Sequence, residues 1–218
     1  MQFSFLNLIL IVAFATFKVN CSSDKDVNII DAVTYGSSIK LQHISSKHRL
    51  HSHEVPYGQG SYQQSVTGYP KGDDPNSLWL VKAENGKTYK RGTPVKCGDE
   101  IRLEHVSTKR NLHSHNFKSP ISSQQEVSCF GDKGVGDSMD NWKLICIPNK
   151  HNNDIWNRGA PVMLQHVATK KYLFAHKSNM YNPPLTNQIE VTAFDNADDA
   201  ENKWKTAEGV YFPIQTAD

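Results

Sequence analysis

The sequence predicts an all-β fold, a β-trefoil in which three equivalent units of four strands close around a pseudo-threefold axis. Two observations carry that expectation. The first is an internal repeat: GSSIKLQHISSKHRLHSH (36–53), GDEIRLEHVSTKRNLHSH (98–115) and GAPVMLQHVATKKYLFAH (159–176) are copies of one segment, with matching histidines at His43, His105 and His166. The second is a block that follows each copy: a glutamine ahead of a short apolar strand (from Gln64, Gln125 and Gln188), an acidic turn, then Trp79, Trp142 or Trp204. The histidines stand 62 and 61 residues apart and the tryptophans 63 and 62, and self-similarity at a fixed period marks a repeat architecture.

Each unit reads as four strands. In the first, Ile39, Leu41 and His43 alternate with Lys40 and Gln42, as do Ile101, Leu103, His105 and Val162, Leu164, His166 in the other copies; this period-two pattern belongs to a half-buried strand. A polar turn leads to a second strand around Leu50, Leu112 or Leu173, the third follows the glutamine, and the fourth carries the tryptophan. Twelve short strands in three units favour a closed barrel of six strands capped by three hairpins, which leaves no exposed sheet edge. A solenoid of the same units would leave two open ends. A single domain is expected over 28–214, with repeats at about 34–90, 91–153 and 154–214.

Ahead of the repeats, Phe3 to Phe17 is apolar but for Asn7, with no charge before Lys18. This is too short to span a bilayer and reads as a signal peptide, 1–21, with Val19 and Cys21 as the small residues before the cut. No later segment is apolar enough to cross a membrane. Lys and Arg number 24 against 22 acidic residues and are scattered along the chain, which argues against nucleic acid or heparin as a partner.

Of the cysteines beyond the leader, Cys97 opens the first strand of the second unit and Cys146 ends its fourth. Those strands are antiparallel neighbours in a trefoil unit, so the two are expected to bond in an oxidising compartment. Closing 49 residues contributes roughly 4 kcal/mol on a chain-entropy estimate. Cys129 aligns with Gly68 and Ala193 and is expected to be a buried free thiol. The pairs His51/His53 and His113/His115 each lie on one face of a strand, but repeated histidines stand apart around an axis and fit hydrogen bonds to turn carbonyls better than a metal. No metal, cofactor or catalytic motif is expected. The acidic turns (Asp73, Asp74; Asp137, Asp140; Asp198, Asp199, Glu201) read as solvated, and the repeated tryptophans as core.

The LxH strand, the STKRNLHSH turn and strand, the QQEVSCFG block and the acidic turn before Trp142 resemble the MIR repeat, named for protein mannosyltransferases, inositol trisphosphate receptors and ryanodine receptors. The chain as a whole is similar to the stromal cell-derived factor 2 family, on RLHSH (49–53), GQGSYQQSVTG (58–68), RGTPVKCG (91–98), NLHSH (111–115) and EGVYF (208–212). The resemblance implies a non-enzymatic factor of endoplasmic-reticulum protein quality control. It would act with a luminal J-domain co-chaperone and a heat-shock chaperone on unfolded client proteins. Resident members of that family usually end in a KDEL-like tetrapeptide, whereas this sequence ends Gln215–Asp218; the expected location is the endoplasmic-reticulum lumen, through a partner, or the outside of the cell.

If repeated residues serve the fold, binding belongs where the copies differ. The segments Val55–Tyr62 and Lys177–Pro184 are unlike each other and supply Tyr57, Gln59, Tyr62, Asn179 and Tyr181 as candidates. His51 and His113 join them, because the third copy has Phe174 instead. Aromatic and amide side chains on loops suit an extended peptide or a glycan, so a carbohydrate-binding module stands as the alternative function.

Overall fold

A computed structural model describes residues 31–148, 154–183 and 185–214; the expected signal peptide and the segment Gln215–Asp218 lie outside them. Twelve strands follow in order: β1 (Ser38–His43), β2 (Arg49–Pro56), β3 (Gln64–Tyr69), β4 (Trp79–Ala83), β5 (Glu100–His105), β6 (Asn111–Lys118), β7 (Gln125–Phe130), β8 (Trp142–Cys146), β9 (Val162–His166), β10 (Tyr172–Met180), β11 (Ile189–Phe194) and β12 (Trp204–Val210). All pairings are antiparallel. Strands β1, β4, β5, β8, β9 and β12 pair in turn, and β12 returns to β1, so six strands close a barrel. The hairpins β2/β3, β6/β7 and β10/β11 cap one end through a triangle of β3, β7 and β11. At the other end the inter-repeat segments bridge one another at Ala32 and Asn157, Thr34 and Pro94, and Lys96 and Ile155. This is a β-trefoil.

The repeated residues build the core. Trp79, Trp142 and Trp204 are fully buried, and each indole N–H donates to the carbonyl of Leu50, Leu112 or Leu173 at 2.8–3.0 Å. Burying such a ring with its one polar atom satisfied combines large apolar area with no unmet donor. Against each tryptophan lies a histidine of the neighbouring unit, with ring centroids 4.9–5.1 Å apart. His43, His105 and His166 accept at Nδ1 from Ser46, Thr108 and Thr169, and donate from Nε2 to the carbonyls of Glu201, Asn76 and Met139. Both ring nitrogens are thus used by a neutral imidazole, and burial pushes all three rings below their usual pKa. The histidines tie each turn to the next repeat.

Cys97 and Cys146 form a disulfide with Cα atoms 5.4 Å apart, beside the pairing of β5 with β8. Cys129 is free and buried, and burial pushes its thiol up to about 12. Its slot is small because Gln64 lies across from it, as Gln125 lies across from Ala193 and Ile189 from Gly68.

That register corrects the sequence alignment of the glutamines. Leu50, Leu112 and Leu173 face Gly68, Cys129 and Ala193, so Gln188 is the counterpart of Gln63 and Gln124, and Ile189 of Gln64 and Gln125. The displaced glutamines form a ring of their own: Thr67, Ser128 and Thr192 donate to the amide oxygens of Gln188, Gln63 and Gln124 at 2.5–2.6 Å, each bond crossing between repeats.

Candidate functional site

The hairpin tips meet at the capped pole, and three equivalent residues begin them. Tyr57, Ser119 and Tyr181 each donate a backbone N–H across the loop to Gln63, Gln124 and Gln188. Each tip should then be held by an acid of the next repeat. Glu190, fully buried, accepts the N–H groups of Ile121 (2.7 Å) and Ser122 (3.0 Å). Glu126, also buried, takes the hydroxyl of Ser61 and the ring Nε2 of His115. The third position carries Ser65, whose short side chain turns to the Val55 carbonyl. Among the described residues none replaces the missing carboxylate, and a cleft of about 210 Å³ opens between the tips of repeats one and three, lined by Val55, Pro56, Tyr57, Ser65, Pro120, Tyr181 and Leu185 among others.

This cleft gathers Tyr57, Gln59 and Tyr181 from among the candidates. Tyr57, read from sequence as part of a flexible surface loop, is instead 6% exposed. Its hydroxyl lies 2.9 Å from the Val127 carbonyl and 3.1 Å from that of Val66, so it forms a wall and leaves no free polar group. Tyr181 forms the facing wall; its hydroxyl is buried beside that of Tyr57, and burial, with Glu190 nearby, raises its pKa. Gln59 is exposed at the mouth. Tyr62 is 69% exposed and lines an adjoining cleft with Glu54, Pro56, Gln64 and Arg110. Asn179 accepts from the Ser178 hydroxyl at 3.2 Å, outside the cleft lining.

His51 and His113 lie away from the pole, buried beneath the acidic turns. The His51 Nδ1 is 2.7 Å from Asp74, and its Nε2 is 2.9 Å from His53. Burial lowers the His51 pKa against the pull of Asp74. Burial would raise the Asp74 carboxyl, but bonds from Ser77 and His51 outweigh it and hold the group low. A neutral imidazole donating to a carboxylate fits both directions. In the second repeat, His113 Nδ1 reaches Asp140 at 2.9 Å, and Asp140 also accepts the Asp137 N–H to complete a capping box. The reading of these turns as solvated fails at Asp140, which is fully buried. His113, Asp137 and Asp140 place one ligand atom each within 4.8 Å of one another. The close His113–Asp140 contact is accounted for as a hydrogen bond.

Two residues escaped the sequence reading: Phe117 and Ile121 of the second repeat, which join Val55, Tyr62 and Met180 of the candidate segments as large apolar side chains more than a third exposed on the hairpin tips. The signal was present in β2, β6 and β10, whose outer ends (HEVP, HNFK, KSNM) keep an apolar residue past the last core position.

Residues 55–205 match the family model of the MIR domain. Over 215 residues the chain is 46% identical to the stromal cell-derived factor 2-like protein of Dictyostelium discoideum, covering 97% of this chain and 99% of that protein. The chain belongs to the stromal cell-derived factor 2 family. The crystal structure of the SDF2-like protein from Arabidopsis thaliana matches with a TM-score of 0.80 at 48% identity, over 85% of this chain and 99% of that one. A part of the S. cerevisiae protein O-mannosyltransferase Pmt1–Pmt2 complex, a structure bound to the sugar donor, matches with a TM-score of 0.73 at 30% identity, over 86% of this chain but 28% of that one. The designed threefold-symmetric protein ThreeFoil (TM-score 0.51, 15% identity, over 78% of this chain and 98% of that one) shares the fold alone. Among the described residues no helix is long and apolar enough to cross a membrane.

Proposed function

We propose that this stromal cell-derived factor 2 family member is a non-enzymatic accessory factor of protein quality control in the secretory pathway. In this reading it holds unfolded clients together with a luminal J-domain co-chaperone and its heat-shock partner, in the endoplasmic reticulum or beyond it. The observation that carries the reading is the pole. Val55 lines the cleft between Tyr57 and Tyr181, and Tyr62, Phe117, Ile121 and Met180 are exposed on the same set of hairpin tips; exposed apolar side chains gathered in one region are a mark of an interaction site. Unfolded chains expose such side chains in no fixed order, and exposed apolar side chains beside two adjoining clefts accept them without demanding a sequence. Gln59, Tyr62 and Asn179 would supply polar contacts at its edge.

A carbohydrate-binding role is the second reading, supported by the likeness to part of a mannosyltransferase complex. One purification separates the two. Tagged protein isolated from its own secretory pathway should bring down a J-domain protein and a heat-shock chaperone, and a Val55→Asp/Phe117→Asp/Met180→Asp variant should lose co-purifying clients while melting at the same temperature. Recovery of glycans without chaperones would favour the second reading.

A further inference from the structure

The flank of the barrel carries a further cleft, of about 330 Å³, different in chemistry from those at the pole. It is lined by Tyr35, Gly36, residues 80–83 of β4, Lys87, Thr88, Tyr89, Arg91 and Arg102. Four of these are cations, and among the described residues no carboxylate lines the cleft. Two of the four have counter-charges: Lys82 donates to Glu104 and Gly134, and Lys87 pairs with Glu84. The arginines do not.

Arg102 is 8% exposed. Its Nε donates to the Ala83 carbonyl at 2.9 Å, which fixes the guanidinium plane, and among the described residues its terminal amino groups have neither a hydrogen bond nor a carboxylate partner. Its cross-strand neighbour is Lys82, and like charges directly opposite one another destabilise a sheet. A buried, uncompensated cation is likewise costly. The fold itself does not require it, since the equivalent position is Lys40 in the first repeat and Met163 in the third. On the other side Arg91 is held with its guanidinium 4.6 Å over the Phe212 ring. Its stem crosses Gly36, at φ +88°, where a Cβ would stand 2.7 Å from the arginine Cγ. A floor of two stacked tyrosines, Tyr35 and Tyr89, with centroids 4.4 Å apart, completes the cleft.

We propose that this cleft is an oxyanion-binding site, for a carboxylate or a phosphate, with Arg102 as its principal ligand, Arg91 as its second, and Tyr89 as the surface for the attached group. A guanidinium pinned through Nε presents its remaining N–H groups as a planar fork, the geometry that takes a carboxylate or phosphate through two bonds. Such an anion would supply the counter-charge that Arg102 and Arg91 lack.

Titration of the isotope-labelled mature chain at constant ionic strength tests this, with inorganic phosphate in one arm and N-acetyl-triglutamate in the other. At least one arm should saturate, moving the Arg102 side-chain Nε–H resonance and the amides of Tyr35, Ala83 and Tyr89 together; which arm does so tells free phosphate from a peptide carboxylate. Arg102→Met, the residue found at 163, should weaken that binding by about tenfold or more, and the exposed Arg91→Gln by less. Should the methionine variant fail to fold, Arg91→Gln decides alone: weaker saturation supports the site and unchanged saturation overturns it. Linear shifts scattered over exposed lysines in both arms, or saturation unaltered in Arg102→Met, would also overturn it.

Discussion

Repeats one and two solve with polar side chains what repeat three solves with apolar ones. In the first, Gln64 donates to Ser52 and to Thr108 of the following repeat; in the second, Gln125 donates to Ser114 and Thr169. In the third, Ile189 and Ala175 hold the same places, with Ile189 set against Gly68. Likewise His51 with Asp74 and His113 with Asp140 give way to Phe174, packed 5.1 Å from Phe194. The changes come in sets: where Ile189 replaces the glutamine, Ala175 replaces its serine partner, and where Phe174 replaces His113 the place of Asp140 holds Asn202. One backbone thus tolerates either chemistry when the whole set changes, and penalises half a set.

The tryptophans set the scale, since all three repeats keep them. Trp142→Ala should cost about 3–5 kcal/mol, and the same change at Trp79 or Trp204 should match it within about 1 kcal/mol; urea melts of the three variants test whether the repeats are equal where they are identical. Asp140→Ala should follow, at about 2–3 kcal/mol, because it strips both His113 and the Asp137 N–H of a buried acceptor. Converting the pair to its third-repeat form, His113→Phe with Asp140→Asn, should cost less than the single change, and strict additivity in that cycle would break the comparison. Ile189→Gln should cost about 1–3 kcal/mol by burying an unpartnered amide, with about 1 kcal/mol regained when Ala175→Ser is added. The smallest and most gradual effect is that of acid. His43, His105 and His166 are held neutral with lowered pKa values, while in the unfolded chain they titrate near 6.5. Below that pH the unfolded state binds more protons, so their contribution to stability is complete above about pH 6.5 and declines as pH falls toward the lowered folded values. A melting temperature flat from pH 7 to 5 would remove the neutral histidines from the account.

What the sequence showed follows the same division. The barrel, the hairpin cap, the buried tryptophans and the histidine bonds to turn carbonyls were legible because each is written three times. Trp156 was not read, though it is fully buried where the inter-repeat segments cross, its backbone bonded to Val33 and Val95; the position recurs, three residues before Gly36, Gly98 and Gly159, but holds valine in the other two copies, so no repeated tryptophan points to it. Tyr57 looked like a surface aromatic because glycines and a proline surround it, and only the meeting of the hairpins buries its ring. Gln188 was misaligned by one place because the third tip, Tyr181 to Gln188, is longer than its counterparts, and only strand register reveals which glutamine meets which threonine. The cleft at the pole was invisible for a different reason: it exists through an absence, Ser65 where the other units place a glutamate.

The pairing of β12 with β1, from Trp204 against His43 to Val210 against Ser38, makes the barrel a ring with no privileged starting strand. Every strand has the same two kinds of neighbour wherever the chain is cut. Joining 214 to 31 through a short linker and opening the backbone at Asn85–Gly86, an exposed turn with open space around it, would preserve every barrel contact. The order in which the three units are written along the chain is therefore a matter of ancestry, and rotating that order by one unit should return the same molecule.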